Sequence, residues 1–418
     1  MKKKIVFISV ILVFAFLLSA CAGILGEEEP ITGDFGPKDT PQEHQTRTFD
    51  ALWSLIEENY IYFDSADVNW GGIHDNYATQ INEGLTNEEF IALMHELEGD
   101  LPKGTLIYQS RTERIEADTT DTSTYEGIGA FVGFQAEDVP HIVVLGVIEG
   151  SPAEKAGIRA HDSIFEIDGS PVLLEEGINV VRRVRGPAGS TVTLNVKTPG
   201  KSERAVNVTR AKLVSAGKLE AYQVPGTSYG YILLPPISYS GLADDILKNI
   251  QTFTTNQKLE GLILDLRIAG SSGSWPLEEL LTIFQDGGVG TFYNNKSEQK
   301  FTVQGQDFFS SQSVPLIILV GQNTSGFPEI LAAALQANKR ATVVGETTPG
   351  DIETTTSFYL PDGSRVFIQT TSFKLSNGDE VGNSGVQPQV KVEAGWDDVL
   401  PTNDPVLEKA IELLGSEK

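Results

Sequence analysis

A serine lies at the predicted start of a helix in the C-terminal half of the chain. Ser325 and Gly326 follow an apolar run, residues 315–320, and precede a predicted helix, residues 328–338. A hydroxyl group in such a strand-to-helix turn lies near backbone N–H groups that can stabilise an oxyanion. A serine nucleophile also needs a general base, and the spacing of the chain indicates none for Ser325.

The chain has five histidines, and all of them lie outside the segment that carries Ser325: His44, His74, His95, His141 and His161. His95 falls on a predicted helix and His141 lies beside a predicted strand. We interpret both as surface or packing residues.

A serine-rich loop follows another run, residues 261–266, which is apolar except for Asp265, and contains Ser271, Ser272 and Ser274. We interpret it as a flexible loop. Because open α/β sheets bind ligands beyond the carboxyl ends of their strands, this loop and residues 324–327 are candidates for lining a peptide cleft.

A glycine-containing loop forms the second candidate site, which consists of Gly127, Ile128, Gly129 and Ala130. Glycines allow the backbone to turn and to approach an anion closely. Isolated Gly-x-Gly turns are common, so the interpretation depends on the surrounding elements.

The N-terminus has the pattern of a secretory signal peptide, with Lys2, Lys3 and Lys4 before the apolar run 5–18. The ending Leu-Ser-Ala-Cys at residues 18–21 resembles a bacterial lipobox, in which Cys21 becomes the lipidated first residue. The alternative is an ordinary signal-peptide ending. Cys21 is the only cysteine, which excludes disulfides within the chain and cysteine-based zinc sites. We predict no metal and no cofactor.

The charge of the chain argues against nucleic acid as a partner. Loss of the signal peptide changes the formal net charge from -26 to -29, because it removes three lysines and no acidic residue. The acidity is spread along the chain, as expected for a solvated surface. About 395 residues remain, enough for two or three domains.

Three regions of different patterning follow a polar tether. The first is helical, with Phe49, Leu52, Trp53 and Ile56 on one face of a helix and a second helix over residues 87–97. We expect Trp70 and Tyr77 to be core residues. The predicted boundaries are signal peptide 1–20, lipidated tether 21–47, helical domain 48–118, PDZ-like domain 119–213 and α/β domain 214–418.

The second region reads as strands at 127–134, 142–147, 162–169 and 191–196, with a helix at 177–184. The stretches SPAEKAGIRAHDSIFEIDG and VVRRVRGPAGSTVTLNV resemble a PDZ domain of the bacterial protease type. That resemblance implies that the loop at 127–130 offers N–H groups to a peptide carboxylate, while the peptide adds as a strand to the sheet edge.

The third region alternates apolar strands with helices, which predicts a sheet covered on both faces. Its phrases GLILDLR, PLIILVGQNTSGFPEILAAALQANKRATVVGETTPG, LPDGSRV and GVQPQVKV resemble the carboxyl-terminal processing, or tail-specific, serine peptidases. The implied fold class is multidomain α+β: an N-terminal helical segment, a PDZ-like β-rich domain and a ClpP/crotonase-like α/β core.

The resemblance also implies where catalytic residues belong. The nucleophile lies three residues before Glu329, where this chain has Gly326. The lysine base corresponds to Asp351 and its supporting glutamine to Thr355. Other branches carry a histidine at the end of the helical domain, where this chain reads Leu-Pro-Lys-Gly-Thr at residues 101–105.

We therefore predict a membrane-anchored, catalytically inactive homologue that binds peptide or protein C-termini. The alternative is an active serine endopeptidase in which Ser325 replaces the missing nucleophile, because no side chain at Gly326 can attack a carbonyl. The sequence leaves the oligomeric state open.

Overall fold

The computed structural model describes residues 41–119, 124–136, 139–214, 217–255, 258–271, 275–382, 384–400 and 403–416. The predicted signal peptide, Cys21 and most of the predicted tether lie outside these ranges, as do Ser272 and Ser274. Within these ranges, no helix has both the length and the apolar character needed to cross a membrane.

The N-terminal region contains α1 (Pro41–Asn59), α2 (Trp70–Asn82), α3 (Asn87–Asp100), β1 (Ile107–Gln109) and α4 (Arg111–Thr119). A capping box starts α3, where Thr86 and Glu89 exchange side-chain and backbone hydrogen bonds. Phe49, Leu52 and Ile56 of α1 are buried together with Tyr77, whereas Trp70 is only partly buried.

One predicted boundary of this region, and its predicted separation from the α/β domain, differ from the structure. Helix α1 begins at Pro41, so a tether extending to residue 47 is too long; Gln45 and Thr48 are polar but buried by tertiary packing. The region is also not separate from the α/β domain. Its strand β1 pairs with β18 (Arg365–Leu375), and Val366 and Ile368 belong to its core.

The PDZ-like region contains β2 (Thr124–Gly127), β3 (Ala130–Gln135), β4 (His141–Val147), α5 (Pro152–Lys155), β5 (Ser163–Ile167), β6 (Ser170–Pro171), a 3₁₀ helix (Leu174–Val180), α6 (Val181–Val184), β7 (Thr191–Lys197), β8 (Arg204–Thr209) and β9 (Ala211–Val214). One sheet has the order β3-β4-β5-β7-β8, and β2 pairs separately with β9.

The predicted strand 127–134 is divided in the structure, because residues 128 and 129 turn away from β2 and the chain resumes as β3. The predicted helix 177–184 is likewise divided. Gly177 has φ of +51°, which is incompatible with a continuous helix. Strand β8 is additional to the predicted elements.

The C-terminal region contains β10 (Glu220–Gln223), β11 (Tyr229–Leu233), α7 (Leu242–Thr255), β12 (Gly261–Asp265), α8 (Leu277–Phe284), β13 (Gly287–Tyr293), β14 (Glu298–Val303), β15 (Leu316–Val320), α9 (Phe327–Ala337), β16 (Thr342–Gly345), β17 (Thr354–Tyr359), β18, β19 (Val390–Lys391), a 3₁₀ helix (Trp396–Asp398) and α10 (Pro405–Ser416).

Its central sheet has the order β10-β11-β12-β15-β16-β19 and is parallel except for β10. Every residue of β12 and β15 is buried. Alternate residues of these strands pack into different cores, one with α7, α8 and α9 and the other with α10. The multidomain α+β class with a doubly covered sheet is confirmed.

Candidate peptidase-type site and peptide groove

The turn after β15 is held by hydrogen bonds to the loop after β12. Thr324 Oγ1 donates to the carbonyl oxygen of Leu266 at 2.8 Å and accepts from the N–H of Gly321 at 3.0 Å. The N–H of Ser325 donates to the carbonyl oxygen of Ala269 at 3.1 Å. The two loops that follow neighbouring parallel strands therefore meet, as the topology predicts.

Gly326 adopts a backbone conformation that favours glycine, with φ of +74° and ψ of -132°. A Cβ atom at this residue would lie 2.0 Å from Ser271 Oγ and 3.0 Å from Ser271 Cβ. The side chain of Ser271 therefore occupies the space into which a side chain at position 326 would extend.

Ser325 is the neighbouring hydroxyl in the turn. Its Oγ lies near Gly270, where a Cβ atom would be 3.4 Å away. Among the residues that the structure describes, none forms a hydrogen bond with Ser325 Oγ, and no histidine or lysine is paired with it. The hydroxyl thus lacks an observed base.

Glu329 connects this turn to the loop that carries Asp351. Its buried carboxylate accepts hydrogen bonds from the N–H of Gly326 at 3.0 Å, from the N–H of Gly350 at 2.6 Å and from Thr348 Oγ1 at 2.5 Å. Burial raises the pKa of Glu329, an effect that these hydrogen bonds partly oppose. In the sequence, Glu329 served only to locate the nucleophile position three residues before it. Its hydrogen bonds to both loops could not be predicted from the sequence.

Asp351 follows Gly350 directly, so the structure brings position 351 to the same side of the sheet as Gly326. Its Oδ1 lies 2.7 Å from Nζ of Lys103, which comes from the loop between α3 and β1. Both side chains are accessible, with 80% of the Lys103 side chain and 42% of the Asp351 side chain exposed. Sequence reasoning missed this pair because its members are far apart in the chain.

Thr355 is not part of this arrangement. It lies on β17 opposite Gln369 of β18, and its side chain is exposed. The structure thus brings positions 326 and 351 together through Glu329 and leaves position 355 at the surface.

The glycine-containing loop lies between β2 and β3. Gly129 has φ of +85°, and a Cβ atom there would lie 2.4 Å from Ser151 Cβ. The carbonyl oxygens of Ile128 and Gly129 accept from Ala153 and Ile148. No described residue accepts a hydrogen bond from the N–H of Ile128 or of Gly129. Two backbone donors at this turn therefore have no acceptor among the described residues, although Ile128 and Gly129 are themselves buried.

An apolar surface lies beside the loop. Strand β3 is at the end of its sheet, and the 3₁₀ helix at residues 174–180 lies next to it. On that helix the side chains of Leu174 and Ile178 are 58% and 53% exposed. Arg185 is exposed and lies near Gly127, with its Cγ 4.0 Å from the place of a Cβ atom. These three residues are not among the site residues predicted from the sequence.

Comparison with known proteins identifies the domains. Residues 228–392 match peptidase family S41, residues 41–99 match the Tricorn protease C1 domain and residues 143–198 match a PDZ domain. The fold and the site thus define a serine-peptidase scaffold combined with a PDZ domain.

Curated relatives give the family. A carboxyl-terminal-processing protease of Picosynechococcus sp. is 33% identical over 305 residues, which are 68% of this chain and 67% of the relative. One from Synechocystis sp. is 26% identical over 380 residues, covering 87% and 85%. The chain belongs to the carboxyl-terminal-processing proteases, as its sequence motifs predicted.

Solved structures share the fold. The photosystem II D1 C-terminal processing protease matches with a TM-score of 0.64 and 23% identity, covering 89% of this chain and 97% of that protein. Mature CPAF matches with a TM-score of 0.58 and 13% identity, covering 90% and 98%. These similarities extend over the helical, PDZ and α/β regions together.

Proposed function

We propose that this chain is a catalytically inactive member of its family and that it binds peptide or protein C-termini. The proposal rests chiefly on Gly326, which has no nucleophilic side chain and whose side-chain space is filled by Ser271. A carboxylate stands at the position of the lysine base and is paired with Lys103. Because catalytic groups that act as a unit lose their function together, the scaffold is left with a binding role.

The alternative enzyme would use Ser325 as the nucleophile. That mechanism requires a neighbouring group that can accept the hydroxyl proton. Lys103 donates a hydrogen bond to Asp351, and an ammonium group cannot accept a proton. Among the described residues, the geometry around Ser325 therefore favours the inactive form.

The PDZ-like region supplies the binding site in this proposal. The N–H groups of Ile128 and Gly129 hydrogen bond with the terminal carboxylate, and the cationic Arg185 lies close enough to attract it. The last side chain of the peptide packs against Leu174 and Ile178. The peptide main chain adds to the free edge of β3.

Binding is tested with one hexapeptide that ends in apolar residues and is prepared with a free or an amidated C-terminus. We expect the free acid to bind at least about tenfold more tightly, because charged hydrogen bonds contribute roughly 1.5–3 kcal/mol. Ile178→Ala should weaken binding by a similar factor. Ile107→Ala is a matched control, because Ile107 is 46% exposed on β1. Equal affinity for the two peptide forms would contradict the proposed mode.

Catalysis is tested by incubating the purified wild-type chain with casein and with a tagged tail peptide. We expect no cleavage above background. Reproducible cleavage that is lost in Ser325→Ala would show that the neighbouring serine is the nucleophile, and the inactive assignment would then be wrong. Peptide binding and cleavage are read out separately, so either result stands alone.

We also propose that Cys21 anchors the chain to the outer face of the bacterial cell membrane. The support is the signal-peptide pattern and the lipobox-like ending, since a diacylglycerol thioether and an amide-linked acyl chain together provide stable attachment. Cys21→Ser should move the protein from the membrane to the soluble fraction and abolish acyl labelling. Unchanged fractionation and labelling would refute the anchor.

A further inference from the structure

Two histidines of the PDZ-like region contact the same short helix of the α/β domain, Trp396–Asp398. His141 Nε2 lies 2.8 Å from Asp397 Oδ2, and His161 Nδ1 lies 2.6 Å from the carbonyl oxygen of Trp396. Ser163 Oγ donates to Asp397 at 2.9 Å. The indole N–H of Trp396 donates in return to the carbonyl oxygen of Val144 at 3.2 Å. These contacts form a two-histidine clamp between the domains.

The hydrogen bonds of His141 require a protonated ring. Its Nδ1 lies 2.7 Å from the carbonyl oxygen of Val139, while its Nε2 faces the Asp397 carboxylate. Both partners only accept hydrogen bonds, so both ring nitrogens must donate. The charged groups around this ring are Asp397 on the short helix and Lys197 on β7. The docked geometry therefore favours the imidazolium form of His141.

His161 has the opposite requirement. Among the residues that the structure describes, only its Nδ1 meets an acceptor. Its ring lies 4.2 Å from the Trp396 ring, and the Arg267 guanidinium lies 5.1 Å from the centre of that Trp396 ring. The charged groups around it are Arg267, Asp404 and Asp265, and Arg267 is ion-paired with both carboxylates. A second cation at this partly buried place is unfavourable. The docked geometry therefore favours neutral His161.

The directions of the two pKa shifts agree with this geometry. The hydrogen bonds to Asp397 and Val139 outweigh burial and raise the pKa of His141, whereas burial and Arg267 lower the pKa of His161. Both start from an ordinary value of 6.5. The contribution of His141 to the free energy of docking is complete below pH 6.5 and is lost as pH rises through its raised pKa. The contribution of His161 to the free energy of docking is complete above pH 6.5 and is lost as pH falls towards its lowered pKa.

The clamp also sets where the peptide-binding strand lies. With the domains docked, β3 packs on the loop before the turn that contains Ser325 and Gly326. A Cβ atom at Gly133 would lie 2.0 Å from Asn323 Oδ1. Asn323 is two residues from Ser325. Docking therefore holds β3 close to the turn that contains Ser325 and Gly326.

We propose that this clamp makes docking of the PDZ-like region onto the α/β domain tightest at mildly acidic to neutral pH, with release on both further acidification and alkalinisation. The loss of docking on acidification, which we call the acidic limb, originates from His161. The loss of docking on alkalinisation, which we call the alkaline limb, originates from His141. Docking of the domains does not depend on whether the chain binds peptides or cleaves them.

The experiment measures energy transfer between dyes on two introduced cysteines at exposed sites, Thr209→Cys on β8 and Gln251→Cys on α7, in the Cys21→Ser chain. We expect transfer to be greatest near pH 6.5 and to decrease by pH 5 and by pH 8.5. Each limb should change the docking equilibrium by about tenfold per unit of pKa shift. A pH-independent signal in this chain would overturn the proposal.

Two substitutions assign the limbs. His141→Gln keeps a donor towards Asp397 without a titratable ring and should remove only the alkaline limb. His161→Asn keeps a donor at the place of Nδ1 and tolerates the φ of +73° at this residue, so it should remove only the acidic limb. Asp397→Asn provides a second test of the alkaline limb from the other domain. Limbs that persist unchanged in these variants would refute the assignment, and thermal melting verifies that each variant is folded.

Discussion

The ammonium group of Lys103 lies 2.7 Å from the carboxylate of Asp351. The chain thus has a lysine beside the position at which family resemblance places the catalytic lysine, but the two charges neutralise each other there. The amino group comes from the loop between α3 and β1 of the helical region.

The first prediction concerns this ion pair. Asp351→Lys should place two ammonium groups together and lower the free energy of unfolding by about 1 kcal/mol or less, because both side chains are exposed enough for water to screen them. The loss should shrink at high salt. Urea denaturation at two salt concentrations measures this, with Asp351→Asn as the uncharged control. A salt-independent loss would show that packing, and not charge, is responsible.

The second prediction concerns Gly326. Gly326→Ser should lower the free energy of unfolding by about 1–3 kcal/mol, because it forces a side chain into a positive-φ conformation and against Ser271. Adding Ser271→Gly should recover part of that loss. Neither variant should gain peptidase activity while Asp351 remains. Gly288→Ser, at a site with no atom within 4 Å of its Cβ, is the control; an equal loss there would contradict the argument.

The third prediction concerns Glu329. Glu329→Gln should lower stability by about 1–3 kcal/mol near neutral pH, because a buried amide nitrogen would face backbone N–H donors. The raised pKa of Glu329 means that the folded state holds its proton more tightly than the unfolded state. Its contribution to stability therefore decreases as pH rises above the ordinary value of 4.5. The difference in unfolding free energy between wild type and Glu329→Gln should therefore become smaller as pH increases above 4.5. A difference that widens instead would show that Glu329 is stabilised as a carboxylate.

The fourth prediction tests whether peptide binding depends on the conformation of the loop at residues 127–130, and not on the replacement of any glycine in the PDZ-like region. Gly129→Ala should reduce binding of a free-acid peptide at least about tenfold, because its methyl group would collide with Ser151 and displace the two N–H donors. Gly169→Ala is a close match, since Gly169 also has a positive φ, +76°, but no atom near its Cβ position. Isothermal titration measures both. Equal losses would indicate general destabilisation of the domain.

Local patterning predicted much of the fold. β15 and all of β12 except Asp265 are apolar because both faces of the sheet are covered, so the strands could be recognised without any contact information. The start of α3 carried its own capping signal at Thr86. Strands β13 and β14 were not predicted, since their glycines and polar residues lack a regular alternation.

Some properties of the candidate site could likewise be predicted from the sequence, and others required the structure. Residue identities alone established that Gly326 cannot act as a nucleophile and that position 351 is acidic, because these are properties of side-chain chemistry. Pairing over long distances in the chain had to come from the fold: Lys103 with Asp351, Ser271 with Gly326, and His141 with Asp397. Such contacts depend on how β-sheets and domains pack, which no local window of sequence contains. The sequence by itself thus determined the family and the residue types at the positions where the family resemblance places catalytic groups, whereas the tertiary structure decided what surrounds those positions.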